Sequence, residues 1–270
     1  MSSTSPAASP SVISKTIPSL IDGVKIYAEA IGNPEHPAIV YIHGNSTSSG
    51  VWDNQFFDPR LSQHFYQIRF DLRGHGLSET PGEDVEGPFN NDRQASDVAA
   101  VLKAFSVERP LFVSWSYGAL IPGDYMSVYG CDNIRGIVVA DGLTGPPEES
   151  HRFFTHPPFP GFTDNSDATK MHQAYGLFIQ SLTYRTRAWI FKRKKNWDCY
   201  MNEASKKVPK LVIFGRQDGM NSLDFIDYIR AKWDESLFTS KLIDEAGHAS
   251  FLEKPLEFNE ILYAWAKDRA

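Results

Sequence analysis

A chain of 270 residues with 41% hydrophobic and 22% charged residues can fold around one α/β core, and this composition is that of a globular protein rather than a disordered or membrane one. The formal net charge of -6 offers no basic surface for nucleic acid or an anionic bilayer, so the expected partner is a small-molecule substrate, uncharged or weakly charged. Two widely separated cysteines, Cys131 and Cys199, exclude a disulfide framework and any CxxC metal site.

In chain order, residues 1–15 are rich in Ser, Pro and Ala and read as a disordered tail. They lack the apolar stretch of a secretory signal. No apolar run approaches the ~20 residues that span a bilayer, so the expectation is a soluble cytoplasmic protein, monomer or homodimer, with no membrane partner. Residues 21–30 read as a hairpin around Asp22-Gly23, a pair that supplies the positive φ of a tight turn. Residues 38–42 (AIVYI) form a buried strand, and residues 66–70 form another that ends at Asp71. Ala95, Val98, Leu102 and Phe105 recur at helical spacing within residues 91–105. The strand LFV, residues 111–113, then runs into Ser114. Residues 134–140, 210–214 (KLVIF) and 238–243 are further strands, with helices over residues 221–233 and 255–267.

This alternation predicts an α/β fold, a mostly parallel sheet with helices on both faces. Residues 16–142 and 208–270 supply the core. Residues 143–207 break the rhythm with Gly145-Pro146-Pro147 and Pro157-Pro158-Phe159-Pro160-Gly161, and read as an inserted helical cap. Leu143, Tyr175, Phe178 and Trp189 in that insertion, with Trp115 from the core, are the candidate substrate contacts.

The sharpest chemical signal is Ser114-Trp115-Ser116-Tyr117-Gly118 at a strand-to-helix junction. A serine hydroxyl is a poor nucleophile until it is held in the open beside a base, and a tight strand-to-helix turn pushes Oγ above the sheet edge. The usual pattern is G-x-S-x-G, and here Ser114 stands in the first Gly position. The Tyr117 backbone N–H, at a helix start, and the Asn45 N–H, in His43-Gly44-Asn45 after the AIVYI strand, are the candidate oxyanion donors. His43 itself is expected to hydrogen-bond loop backbone.

The base is expected later in the chain. Among eight histidines, His248 follows the last strand between small residues that let its ring reach inward. Asp218, just beyond KLVIF, is the orienting acid, which would hold the imidazole in the right tautomer. Asp141, at the end of the IVVA strand, is the alternative acid. No metal ligand set and no phosphate loop is present, so no cofactor is expected, and the short basic run of residues 192–195 reads as a solvated helix face.

Together His43-Gly44-Asn45, Asp71-Leu72-Arg73-Gly74-His75-Gly76-Leu77-Ser78, Ser114-Trp115-Ser116-Tyr117-Gly118, Gly215 to Asp218 and Gly247-His248 resemble an α/β-hydrolase-fold serine hydrolase. The resemblance covers residues 21–268, and the motifs are similar to those of small esterases and cofactor-free haloperoxidase-like perhydrolases. It implies the chain order Ser, Asp, His for the catalytic groups, and it gives Asp71 to Ser78 a structural role in bracing the elbow. The expected activity is hydrolysis of a small ester or lactone with an apolar moiety through an acyl-enzyme. The alternatives are perhydrolysis, carbon-carbon bond hydrolysis or lysis, and a catalytically inert small-molecule receptor. A serine in the elbow argues against epoxide and haloalkane hydrolases, whose nucleophile is an Asp.

Overall fold

The computed structural model describes residues 11–82, 86–142, 144, 153 and 198–270. Among these residues an eight-stranded sheet runs in the spatial order β1-β2-β4-β3-β5-β6-β7-β8. The strands are β1 (Ile13–Pro18), β2 (Lys25–Ile31), β3 (Ala38–Ile42), β4 (Tyr66–Phe70), β5 (Leu111–Trp115), β6 (Gly136–Ala140), β7 (Lys210–Gly215) and β8 (Phe238–Ile243). β1 pairs antiparallel with β2, and β2 with β4. Every later pairing is parallel, so the carboxyl ends of β3, β5, β6, β7 and β8 lie along one edge.

The central strands are apolar throughout because both of their faces are covered, the usual reason for continuous hydrophobic runs in a parallel sheet. Val40, Ile42, Phe112, Ile137, Val139, Val212 and Phe214 fall on one face. They pack with Val98, Val101 and Leu102 of α1 (Asn91–Ala104), Ile121, Tyr125 and Met126 of α2 (Ile121–Tyr129), and Phe225, Ile226 and Ile229 of α3 (Asp224–Arg230). The alternate residues Ile39, Tyr41, Leu111, Val113, Val138, Leu211 and Ile213 meet Phe258, Leu262 and Trp265 of α4 (Pro255–Lys267) on the other face. Full burial of each such side chain contributes roughly 1.5–3 kcal/mol, and the period of two along each strand distributes that contribution over both layers. Pro255 opens α4 and Lys267 closes it, as the orphan amides and the helix dipole favour.

Three sequence expectations change. Ile13, Ser14 and Lys15, expected in the tail, belong to β1, an edge strand whose only buried residue is Ile17. With one buried position and Pro18 at its end, such a strand has no hydrophobic periodicity to betray it. The predicted hairpin around Asp22-Gly23 is present, with Gly23 at φ 72°, but its first arm lies at Ile13–Pro18. The helix expected over residues 221–233 contracts to Asp224–Arg230, because the amides of Met220 and Asn221 bond to the Asp218 side chain and that of Ser222 to the Phe153 carbonyl. Among the described residues no helix is long and apolar enough to cross a membrane.

Candidate active site

Ser116 follows β5 directly and has φ 52°, a left-handed conformation that a residue with a Cβ adopts only where its surroundings enforce it. The enforcement is steric. A Cβ on Gly118 would lie 2.4 Å from the His43 carbonyl oxygen and 2.8 Å from that of Ile42, so the turn rests on the end of β3 where only glycine fits. The segment from Ser116 starts as a 3₁₀ turn, Ser116–Leu120, and becomes α-helical at Ile121. Ser114 stands within β5, buried, and its hydroxyl donates to the Val138 carbonyl at 3.0 Å. Its strand position needs no glycine, so the departure from G-x-S-x-G is absorbed there.

His43 is fully buried. Its Nδ1 donates to the Gly44 carbonyl at 2.7 Å, and its Nε2 accepts from the Leu72 amide at 3.0 Å. Burial, reinforced by the neighbouring His75, lowers its pKa to about 3, so the ring is a neutral strut. The Asp71 to Ser78 turn is tied in the same way: Asp71 accepts from the amides of Ser49 and Leu77, both at 2.7 Å. Buried Arg73 pairs with Asp22 and Asp97. Support for the elbow thus runs from this turn through His43 to the backbone under Gly118.

Three side chains from three loops converge above this support. The Ser116 Oγ lies 3.1 Å from His248 Nε2, and His248 Nδ1 lies 3.1 and 3.2 Å from the two carboxylate oxygens of Asp218. A carboxylate only accepts, so the shared proton sits on Nδ1 and leaves Nε2 open to receive the serine hydroxyl. The Asp218 side chain is fully buried and that of His248 is 15% exposed, so the carboxylate is sealed while the imidazole keeps some contact with solvent. Asp218 Oδ1 also accepts from the amides of Met220 at 2.8 Å and Asn221 at 3.1 Å, and Oδ2 accepts from Asn221 Nδ2 at 3.2 Å. These bonds fix the carboxylate on both oxygens.

Asn221 escaped the sequence reading. It is buried, its Nδ2 also donates to the Asp141 carbonyl at 3.1 Å, and it lies 3.3 Å from His248 Nδ1. The available signal was an Asp with a carboxamide three residues on, in a loop after a strand.

Two more of the candidate residues have defined partners. Asp141, the alternative acid, is not hydrogen-bonded to His248. Its carboxylate accepts from the amides of Gly215 at 2.7 Å and Ser250 at 2.9 Å, and from the Ser250 hydroxyl at 2.7 Å, so its orientation is already taken by backbone of the two neighbouring loops. Burial raises its pKa to about 6, against those hydrogen bonds. Trp115, expected to touch substrate, is almost wholly buried, with its ring 6.0 Å from that of His248 between centroids. It shares strand parity with Leu111 and Val113 and packs with the α4 layer, against Phe251 at 5.3 Å between ring centroids. Its Nε1 donates to the His248 carbonyl at 2.6 Å, so it holds the backbone that carries the imidazole.

Of the proposed oxyanion donors, Tyr117 is the residue after Ser116 in the 3₁₀ turn, and Asn45 sits half-buried in the loop leaving β3. Leu143, Tyr175, Phe178 and Trp189 lie outside the described residues, as does most of the expected cap. Among the described residues no group of three or more His, Cys, Asp or Glu side chains converges as a metal site requires.

The alpha/beta hydrolase family profile matches residues 39–261. The chain is 23% identical over 258 residues to 3-oxoadipate enol-lactonase 2 of Acinetobacter baylyi, covering 87% of this chain and 91% of that protein. A Burkholderia cenocepacia protein assigned as an aryl esterase superposes with a TM-score of 0.73 at 28% identity, over 95% of this chain and 99% of its own. The esterase RhEst1 from Rhodococcus gives a TM-score of 0.77 at 21% identity, over 95% of this chain and 99% of its own, a likeness of fold. With the profile spanning most of the sequence, from β3 into α4, this chain belongs to the alpha/beta hydrolase family.

Proposed function

We propose that the chain is a serine hydrolase of small esters or lactones with an apolar moiety, working through an acyl-enzyme. The observation that carries this reading is the relay from Ser116 Oγ through His248 to Asp218, with contacts of 3.1 Å on each side of the ring. Ser116 Oγ attacks the acyl carbon while His248 Nε2 takes the hydroxyl proton. The carbonyl oxygen of the tetrahedral intermediate becomes an oxyanion facing the amides of Tyr117 and Asn45, where fixed donors are worth more than in water. The carbon-oxygen bond to the leaving group breaks, and His248 returns its proton to the departing alkoxide. Water then attacks the acyl-enzyme, giving its proton to His248, and collapse restores the Ser116 hydroxyl and releases the acid. Asp218 stabilises the imidazolium at each stage. Residues 143–207 form the cap in this reading.

The names of the similar proteins, an enol-lactonase, an assigned aryl esterase and an esterase, support acyl transfer to water as the reaction class. A panel of esters, lactones, amides and diketones with product identification tests it. The expected result is turnover of short apolar esters or lactones that vanishes in Ser116→Ala. Turnover confined to diketones would replace the substrate class, and ester turnover that survives in Ser116→Ala would remove the nucleophile.

A further inference from the structure

Three loops must keep their spacing for the relay to work, and Asp141 stands where they meet. Its neighbour Gly142 packs under the elbow: a Cβ there would lie 3.0 Å from the Ser116 carbonyl oxygen and 3.1 Å from the Ser116 nitrogen. Its side chain bonds the amide of Gly215, three residues before Asp218, and both the amide and hydroxyl of Ser250, two residues after His248. Those two loops touch at the same point, since a Cβ on Gly215 would lie 2.2 Å from the Gly247 carbonyl oxygen. Asp141 itself is fully buried and held at φ 45°, a left-handed conformation that Asp and Asn tolerate better than other residues with a Cβ.

We propose that Asp141 is a positioning residue that locks the acid loop to the base loop and so fixes the distance from His248 to Ser116. This rests on the assignment of Ser116 and His248 above. Asp218 orients the imidazole from its side chain, and Asp141 holds the backbone that carries the imidazole. The lock needs a carboxylate. Two amides and a hydroxyl all donate to it, and an ionised carboxylate accepts all three without presenting a hydrogen of its own.

The lock is therefore sensitive to pH. Burial holds the Asp141 pKa up at about 6, so the acceptor set is complete above that pH and loses one acceptor face as pH falls through it. On the segments packed round it, the charged and titratable groups are Arg216 and Asp218 beside β7, and His248 and Glu253 beyond β8. Arg216 pairs with Asp244 at the surface, Glu253 accepts from the Gly247 amide, and Asp218 is turned onto His248. His248 is the group whose charge acts on Asp141, favouring the ionised form.

Asp141→Asn keeps the backbone tolerance and removes the second acceptor, and Ser250→Ala removes one donor. Steady-state hydrolysis of p-nitrophenyl acetate from pH 4.5 to 9 is the test, once a separate sample of wild-type protein has been shown to react with a fluorophosphonate probe. Failure of that labelling overturns the hydrolase reading. With labelling in place, Asp141→Asn is expected to lower kcat by roughly tenfold or more with KM within about twofold. Its acid limb of log kcat/KM loses the extra drop of about one log unit that protonation of Asp141 adds in the wild type as pH falls through about 6. Ser250→Ala lowers kcat several-fold, and the double variant is no worse than Asp141→Asn, since both act on one contact. Wild-type kcat with an unchanged acid limb, or a loss carried wholly by KM, overturns the proposal. If Asp141→Asn does not fold, Ser250→Ala alone decides: a several-fold loss of kcat with KM unchanged supports the proposal, and wild-type kcat overturns it.

Discussion

Replacing Asp218 by Asn is the perturbation whose consequence follows most closely from the site's hydrogen bonds. Oδ1 is held by two backbone amides, those of Met220 and Asn221, so the carboxamide oxygen of Asp218→Asn takes that position. Its NH₂ then occupies the place of Oδ2, facing His248 Nδ1 and the Asn221 side chain. The carboxamide oxygen, 3.2 Å from Nδ1, is already engaged by those two amides, so Nδ1 answers the N–H at the nearer contact, becomes the acceptor, and the ring proton moves to Nε2. An Nε2–H at 3.1 Å from Ser116 Oγ cannot receive the serine proton. Inversion of tautomer with intact geometry lowers kcat by about 10⁴ in serine hydrolases of this logic, roughly 5.4 kcal/mol of lost transition-state stabilisation. The assay is steady-state hydrolysis of p-nitrophenyl acetate and butyrate at pH 7.5, with circular dichroism melting as the folding control. A folded Asp218→Asn protein retaining more than a tenth of wild-type kcat would refute the reasoning, because it would mean the acid does not set the tautomer.

Other consequences are equally open to measurement. Trp115→Phe keeps a ring in the α4 layer but loses the 2.6 Å bond to the His248 carbonyl; urea denaturation should show a loss of about 1–3 kcal/mol, with kcat lowered and KM little changed, and full stability would return Trp115 to the list of substrate contacts. Gly118→Ala puts a Cβ 2.4 Å from the His43 carbonyl oxygen, a backbone atom that cannot step aside, so thermal melting should register at least the 1–3 kcal/mol typical of overpacking; a wild-type Tm would mean the elbow does not rest on β3. His43 has a folded pKa of about 3 against 6.5 for the free side chain. A depressed histidine pKa favours the fold fully above about pH 6.5, and that contribution is lost as pH falls toward 3. Wild-type protein should therefore lose stability over that window more steeply than His43→Asn, while His75, also lowered by burial, leaves some slope in the variant. Parallel pH profiles for the two proteins would contradict the neutral-strut role.

Much of this architecture was legible from residues alone, for identifiable reasons. AIVYI, IVVA and KLVIF are buried on both faces, so their apolar runs announce strands with no help from context. The spacing of Ala95, Val98 and Leu102 announces a helix for the same kind of reason. β1 stayed hidden because it buries only Ile17, and an edge strand covered by one neighbour needs no more than that. Ser116, His248 and Asp218 could be found because each stands just past a recognisable strand, where a parallel sheet gathers loop residues at one edge. For Trp115, sequence fixes the parity of a strand residue but not which face is which. Adjacency to Ser116 suggested the cleft, whereas the shared face of Leu111 and Val113 leads under α4. Asp141 and Asp218 both end strands on the same edge, and nothing in their local sequence tells the group that meets the imidazole from the group that ties the loops. That distinction depends on the Gly215 and Ser250 amides, which are remote in sequence from Asp141. Asn221 went unnoticed because its role depends on a side chain folding back over Asp218, a contact with no periodic signature.

The central claim is that the Ser116 hydroxyl is nucleophilic because His248 accepts its proton. Incubation with a fluorophosphonate, followed by intact-mass and peptide mass spectrometry, tests it at the atom concerned. A single adduct on the peptide carrying Ser116, absent from Ser116→Ala and formed at least about 10³-fold more slowly in His248→Gln, is the predicted result. An adduct elsewhere, or equal labelling rates in wild type and His248→Gln, would contradict it.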